Sequence, residues 1–180
     1  MLHHRLLWLV SVWCLCGCGP KHIPWNASAG DVAALSNVSQ EGVENFLWNE
    51  EGRLISLDVK GEHIADEDAY QIAKLSELRT LGLTGTRITS NGLERLTALK
   101  HVSGLALSYT GVTDGDIHLL LEFKEMEYLD LNHTRITEDG ATKLAQLPQL
   151  KHLWLAGTRA PLDASDRLHR RFPNCNFQTQ

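Results

Sequence analysis

Leu78-Arg-Thr-Leu-Gly-Leu-Thr-Gly-Thr-Arg-Ile-Thr-Ser-Asn-Gly-Leu-Glu-Arg-Leu96 is the stretch that decides the fold, because it recurs along the chain every 24 residues without a gap. The two strand leucines of this stretch recur at Leu57, Leu81, Leu105, Leu129 and Leu153, and at Val59, Leu83, Leu107, Leu131 and Leu155. A fixed period of roughly 20–50 residues is typical of a solenoid built from stacked, similar units.

Each unit contains one short strand and one helical segment. In Leu81-Gly-Leu83 the two leucines point to the same face of a strand, and Ile88, Leu93 and Leu96 follow at helical spacing. One strand and one helix cannot close a core alone, so the copies must stack. We therefore expect an α/β solenoid of about five repeats of 24 residues, with parallel strands on the concave side, helices on the convex side and a cap at each end.

Threonine recurs at two points of the repeat. Thr89, Thr113 and Thr137 precede the helical segments, where an N-cap hydroxyl is favoured. A second series lies where the chain leaves each strand: Glu62, Thr86, Thr110, Thr134 and Thr158. There the backbone turns inward, and we expect the hydroxyl to satisfy a buried backbone group.

Together these residues resemble the bacterial leucine-rich-repeat subtype L-x-x-L-x-L-x-x-T-x-I-T-D-x-G-L-x-x-L-x-x-L, over residues 50–177. The resemblance implies a leucine-rich-repeat solenoid. The sequence departs from the pattern at Glu62, at Gly115-Asp116 and at Ala160-Pro161. The first and last departures suit capping units, and the middle one is expected only to distort a turn.

The N-terminal residues have the pattern of a secretory signal. An apolar run from Leu6 to Cys16 is too short to span a bilayer but fits the hydrophobic region of a signal peptide. Leu15-Cys-Gly-Cys18 then resembles the bacterial lipobox, which implies an acylated Cys18 and a membrane-anchored, extracytoplasmic lipoprotein of the cell envelope. Two alternatives stay open: cleavage after Ala29, and an uncut run that anchors the chain at a membrane surface.

The predicted organisation has four parts. Residues 1–17 form the signal peptide, residues 18–30 the lipidated N-terminus and tether, residues 31–53 an N-terminal cap, and residues 54–177 the repeats with a C-terminal cap. Asp31 is expected to be the N-cap of a short helix in the first cap.

Both ends of the repeat array are expected to be covered. Residues 46–59 predict a hairpin that leads into the first repeat strand. The segment from Leu168 to Phe177 resembles the helix-Pro-Asn-Cys ending of the bacterial subtype. Cys175 is then a small buried residue rather than a reactive thiol. It is the only cysteine beyond the signal region, and no zinc-binding spacing is present.

Composition and motifs argue against several function classes. The formal net charge is -5 at pH 7, and no basic stripe suggests a nucleic-acid surface. Asp130, His133 and His152 could approach one another on adjacent strands, but hydrophilic surface residues are far commoner than sites. The sequence contains no nucleophile elbow, phosphate loop or metalloprotease motif. We predict a monomeric domain with no enzymatic activity, no cofactor and no metal.

Two functions remain: a module that binds a protein partner through its concave face, or a structural envelope lipoprotein without a specific ligand site. A carbohydrate-binding surface is a variant of the first. The outward strand positions are nearly bare at Gly82, Gly104 and Ala106, and side chains become larger towards the C-terminus. The predicted partner-binding residues, which we call the concave patch, are Tyr109, Tyr128, Asp130, Asn132, His152 and Trp154.

Overall fold

The computed structural model of the protein describes residues 23–179. The predicted signal peptide and the lipidation residue Cys18 lie outside the described residues. The strands are β1 (Val43–Trp48), β2 (Leu54–Val59), β3 (Thr80–Gly82), β4 (Gly104–Ala106), β5 (Tyr128–Asp130), β6 (His152–Trp154) and β7 (Asn176–Gln178). The helices are α1 (Ala29–Ser36), α2 (Asp66–Ile72), α3 (Ser90–Leu96), α4 (Ile117–Leu120), α5 (Glu138–Leu144) and α6 (Ala164–Arg171). Two 3₁₀ turns span Gln40–Gly42 and Asp114–Asp116.

All seven strands form one sheet in chain order, which confirms the predicted α/β solenoid. β1 pairs antiparallel with β2 as the predicted hairpin, and each later strand is added parallel to the one before it. The sheet has one more parallel strand than the five repeats predict. This strand is β7, in which Phe177 pairs with Leu153 and so takes the next position of the 24-residue series.

One continuous apolar core lies between the sheet and the helices. The strand residues Leu81 and Leu83 and the helix residues Leu93 and Leu96 are all buried, as the periodicity predicts. Phe123 takes the position of Leu99 in the following repeat and is also buried. Among the helices of residues 23–179, none is long and apolar enough to cross a membrane.

The threonines after the strands donate their hydroxyls to the carbonyl three residues earlier, as predicted. The distances from Oγ1 to the carbonyl oxygen are 2.9 Å for Thr86, 2.6 Å for Thr110, 2.6 Å for Thr134 and 2.7 Å for Thr158. The first three of these residues are buried. Each hydroxyl therefore satisfies a backbone acceptor that water does not reach freely.

The predicted threonine N-caps are also confirmed, and an aspartate of the preceding repeat supports two of them. Thr137 Oγ1 accepts from the backbone N–H of Gly140 at 3.4 Å. Asp114 in turn accepts from the Thr137 backbone N–H at 3.0 Å and from its hydroxyl at 2.6 Å. A Cβ at Gly140 would lie 2.3 Å from Asp114 Oδ1, so glycine makes room for the carboxylate. Asp66, Thr89 and Gly92 form the same arrangement two units earlier.

The third repeat reaches the same result with different residues. Position 90 is Ser instead of Asp, and position 116 is Asp instead of Gly. Asp116 accepts from the backbone N–H of Thr113 at 2.9 Å and from its hydroxyl at 3.1 Å, while the Ser90 hydroxyl donates to Asp116. The turn tightens to 3₁₀ geometry over Asp114–Asp116, as expected. Asp116 also supplies the carboxylate that is missing at position 90, where this repeat has Ser.

The prediction that Asp31 caps the first helix is wrong. Ser28 is the N-cap of α1, because its Oγ accepts from the backbone N–H of Asp31. Asp31 is instead buried in the first turn, where it accepts from Arg53 Nε at 3.0 Å and from the Leu54 backbone N–H at 2.9 Å. It thus ties the capping helix to the first repeat strand.

The C-terminal cap follows α6. Cys175 is 3 % exposed, and burial raises the pKa of its thiol to about 11. These values confirm that Cys175 is a small buried residue. The segment then continues into β7, whose outer edge has no strand partner among the described residues.

Candidate functional site

The outward positions of β2 to β6 line a shallow groove of about 490 Å³ on the concave face. Its central strip follows the strand register, in which Asp58, Gly82, Ala106, Asp130 and Trp154 are successive cross-strand partners. The polar Asp58 therefore lies at one end of the groove, Asp130 and the aromatic Trp154 lie at the other, and two small residues lie between them.

The middle of the groove exposes mostly backbone. A Cβ at Gly82 would lie 2.2 Å from Asp58 Oδ1, so the Asp58 side chain rests over Gly82. Lys60 Nζ approaches the same carboxylate at 3.8 Å. Gly104 is less crowded, since the atom nearest to its Cβ position is Thr80 Cγ2 at 3.4 Å. A partner could therefore approach the sheet closely at Gly104 and Ala106.

Three aromatic rings form a stack at the C-terminal side of the groove. The Tyr128 and His152 ring centroids are 5.2 Å apart with an interplanar angle of 8°. His152 and Trp154 follow at 5.5 Å and 14°. On its other side, the cross-strand neighbour of Tyr128 is Gly104, which has no side chain to cover the ring. Tyr128 is 42 % exposed, so the stack is ordered by its own contacts and still open to a partner.

The two polar residues of the concave patch differ in how far their side chains are free to contact a partner. Asp130 accepts from the backbone N–H of Asn132 at 2.9 Å and lines the groove beside Tyr128. Asn132 uses its side-chain oxygen to accept from the backbone N–H of Ala156 at 2.7 Å. Asn132 therefore helps to hold the next loop, while Asp130 presents a partly exposed carboxylate to the groove.

Tyr109 lies apart from the groove. It follows β4 by three residues, has a positive φ of 58° and stacks on His133, whose φ is 55°. The ring centroids of this pair are 4.2 Å apart. The structure thus brings Tyr128, Asp130, His152 and Trp154 together and places Tyr109 with His133 on the adjacent loops.

The three residues considered for an acid–base or metal site make separate contacts. His133 stacks on Tyr109, His152 stacks between Tyr128 and Trp154, and the Asp130 carboxylate accepts from a backbone N–H. Within residues 23–179, no group of three His, Cys, Asp or Glu side chains is arranged to hold a metal ion.

An ion pair lies next to the aromatic stack. Lys151 Nζ lies 2.8 Å from Glu127 Oε2, and this hydrogen bond raises the pKa of Lys151. These two residues precede β6 and β5, so their charges largely neutralise each other beside the aromatic rings. The Asp130 carboxylate has no ion-pair partner among the described residues.

The sequence matches no protein-family model and no curated protein. Solved structures are similar in fold. The ectodomain of the receptor kinase SOBIR1 from Arabidopsis thaliana, a leucine-rich-repeat domain, is 15% identical, and the match covers 86% of this chain and 93% of that chain with a TM-score of 0.51. This chain is a leucine-rich-repeat solenoid.

Two further solved structures match part of this chain. A plant ice-binding protein is 21% identical over 76% of this chain and 50% of that chain, with a TM-score of 0.55. A leucine-rich-repeat protein of Leptospira interrogans is 19% identical over 61% of this chain and 27% of that chain, with a TM-score of 0.43. The chain thus spans half or less of the length of these two proteins. Identities this low show the fold alone.

Two arginines on the loops beside the groove are not among the site residues that the sequence predicts. Arg135 and Arg159 are exposed and occupy equivalent positions in neighbouring repeats. The signal was present, because an alignment of the repeats places Arg87, Gly111, Arg135 and Arg159 in one column. The alternation of side chains that predicts an outward face applies within a strand and does not extend to these loop positions.

Proposed function

We propose that the protein is a binding module that recognises a protein partner through the concave groove. The observation that carries this proposal is the stack of Tyr128, His152 and Trp154 beside the nearly bare strands at Gly104 and Ala106. A structural spacer has no need for a solvent-exposed aromatic stack, because exposed aromatic area is unfavourable unless a partner covers it.

The physical chemistry of the groove suits a protein ligand. Tyr and Trp are strongly enriched among the residues that dominate binding energy at interfaces. The three rings are already held by stacking, so little side-chain entropy remains to be lost on binding. The Asp130 carboxylate next to Tyr128 supplies a polar group that can orient the partner.

The membrane anchor is a second part of the proposal. Its support is the lipobox-like Leu15-Cys-Gly-Cys18 after an apolar run, which favours acylation of Cys18 and an extracytoplasmic location on a bacterial envelope. Metabolic labelling with a fatty-acid analogue should tag the wild-type protein and not the Cys18→Ser variant. Equal labelling of both proteins, or of neither, would refute the anchor.

The binding proposal is tested by capture from an envelope extract with the full-length chain. The Tyr128→Ala, Trp154→Ala double variant removes the two outer rings of the stack. A matched control is Trp25→Ala, Tyr70→Ala, since both residues are exposed aromatics outside the groove, with exposed fractions of 97% and 51%. The captured protein should bind the groove variant at least tenfold more weakly than wild type and should bind the control variant normally.

Three outcomes would argue against this proposal. If both variants stay folded by circular dichroism and bind the captured protein equally well, the groove is not the site. If no protein is retained and a glycan array instead gives binding that the groove variant loses, the surface is a carbohydrate site. An absence of both activities would favour a structural lipoprotein without a specific ligand.

A further inference from the structure

A second surface with its own chemistry lies on the loops that leave the strands. The five residues at the equivalent loop position all have positive φ: Gly61 (96°), Gly85 (67°), Tyr109 (58°), His133 (55°) and Gly157 (67°). Glycine adopts this left-handed conformation readily, whereas residues with a Cβ are disfavoured there. In two neighbouring repeats, Tyr109 and His133 therefore adopt a backbone conformation to which glycine is better suited.

The two rings stack on each other in the open. Tyr109 is 61 % exposed, and its ring stacks on His133 at 4.2 Å with an interplanar angle of 14°. The His133 ring extends over the next loop, because a Cβ at Gly157 would lie 2.4 Å from its Nδ1. On the other side, nothing lies within 4 Å of the Cβ position of Gly85. Strained residues of this kind tend to cluster at functional sites.

Two residues further along the loop, the repeat of His133 carries Arg135 and the following repeat carries Arg159. Arg135 and Arg159 are exposed on adjacent repeats, joined by the hydrogen bond from the Arg159 backbone N–H to the Ile136 carbonyl at 2.9 Å. Arg87 differs, since its guanidinium pairs with Glu62 at 2.5 Å. Within residues 23–179, neither Arg135 nor Arg159 has an ion-pair partner. Both guanidinium groups are therefore available to pair with the anionic groups of a ligand.

The donors on this surface are side chains rather than backbone. The backbone N–H of Tyr109 donates to the Asn132 carbonyl, that of His133 to the Ala156 carbonyl, and that of Arg135 to the Val112 carbonyl. These three N–H groups are therefore not available to a phosphate, which a phosphate-binding loop holds through its backbone N–H groups. Two arginine forks instead match two carboxylates, each of which can accept two parallel hydrogen bonds.

We propose that Tyr109, His133, Arg135 and Arg159, which we call the loop edge, bind an acidic, extended segment of a protein partner. Carboxylates of the segment pair with Arg135 and Arg159, and its remaining atoms pack on the Tyr109–His133 rings. Open space at Gly111, with nothing within 4 Å of its Cβ position, leaves room for the segment beside Arg135. The net charge of the whole chain is -5, so the attraction is local to this edge.

The test uses the full-length chain and a fluorescein-labelled hexaglutamate peptide, with binding measured by fluorescence anisotropy at low ionic strength. Arg135→Gln, Arg159→Gln should weaken binding at least tenfold. Arg79→Gln, Arg170→Gln removes the same charge from two other exposed arginines and should change the affinity less than twofold. Tyr109→Gly, His133→Gly removes the rings while leaving a residue suited to positive φ, and it should weaken binding at least threefold.

The proposal is independent of the concave groove, and its failure can be recognised separately. Tyr128→Ala, Trp154→Ala should leave hexaglutamate binding unchanged. No binding of hexaglutamate by the wild-type chain, or equal loss in the two arginine variants, would overturn the proposal. It would also be overturned if phosphatidylglycerol vesicles, and not hexaglutamate, bound the wild-type chain in a manner that depends on Arg135 and Arg159, because the ligand would then be a lipid surface.

Discussion

Exchanging Ser90 and Asp116 for the residues that other repeats carry tests the network of helix caps. Alone, Asp116→Gly removes the acceptor for the Thr113 backbone N–H and hydroxyl and for the Ser90 hydroxyl. Hydrogen bonds to charged groups contribute about 1.5–3 kcal/mol each, and a lost N-cap costs about 1 kcal/mol. Thr113 is half-buried, so water replaces part of the loss, and we expect the free energy of unfolding to fall by about 1–3 kcal/mol.

The reverse single change should also destabilise the protein. Ser90→Asp places a second carboxylate within hydrogen-bonding distance of Asp116, where the two charges repel. In the double variant, the new carboxylate can occupy the place that Asp114 has in the next repeat. Glycine at position 116 then makes the room that Gly140 makes there. We expect the double variant to approach wild-type stability, with a coupling free energy of about 2 kcal/mol between the two sites.

Urea denaturation of the four full-length proteins, followed by circular dichroism, measures this coupling. Additive effects, within about 0.5 kcal/mol, would refute the reasoning that the two positions substitute for each other. A pH series gives an internal control. Repulsion raises the folded-state carboxyl pKa of the Ser90→Asp variant, so its deficit should shrink as pH falls from about 7 to about 4. A constant deficit would indicate a steric conflict instead.

Four other predictions follow from the structure. Leu107→Ala should lower the free energy of unfolding by about 2–5 kcal/mol through lost burial and a cavity. Thr110→Val should lower it by about 1–3 kcal/mol, because the Leu107 carbonyl loses its hydroxyl donor, and thermal melts that match wild type in both variants would contradict the assigned repeat positions. In a variant with Cys14→Ser, Cys16→Ser and Cys18→Ser, the Cys175 thiol, with its raised pKa, should react with a thiol reagent at about pH 8 only after unfolding, and prompt labelling of the folded variant would exclude its burial. The hydrogen bond from Arg167 lowers the pKa of Glu138. The stability that this hydrogen bond contributes is therefore present above the ordinary carboxyl pKa of 4.5 and is lost as pH falls through the lowered pKa. The difference in unfolding free energy between wild type and Glu138→Gln should accordingly disappear in acid.

The strands, the helix starts and the buried hydroxyls could be predicted because each position of the repeat is sampled several times. Leu81, for example, is supported by equivalent leucines before and after it, so one atypical residue does not obscure the pattern. Each end of the solenoid occurs only once in the sequence, so no equivalent residues support a prediction there. At the N-terminal end, Ser28 and Asp31 are both acceptable N-caps by residue type. Only the buried contact of Asp31 with Arg53 decides between them.

The last strand shows a related difficulty. Phe177 lies 24 residues after Leu153, yet it follows the Pro173-Asn174 break and is flanked by polar residues, which favour a closing turn. Its pairing with Leu153 depends on how α6 packs beneath the sheet, and no local pattern contains that information. Trp154 consequently belongs to an internal strand instead of the edge of the sheet.

The groove was partly accessible to sequence reasoning. Alternation within a strand places Tyr128, Asp130 and Trp154 on the outward face, where the structure has them. The rule ends with the strand. β4 stops at Ala106, and the left-handed conformation of Tyr109 directs the chain elsewhere, so period-two reasoning could not separate Tyr109 from the groove.

Residues that depart from the repeat pattern differ in their effect on the internal contacts of the protein. Ser90 and Asp116 depart together, and the hydrogen bonds they form replace those of the other repeats, so their difference has a structural explanation. Tyr109 and His133 depart towards a less favourable backbone, and they are exposed. The mutual stacking of exposed rings offsets the backbone strain only in part. A departure that restores internal contacts is explained by folding alone, whereas one that costs stability and faces solvent calls for a partner outside the chain.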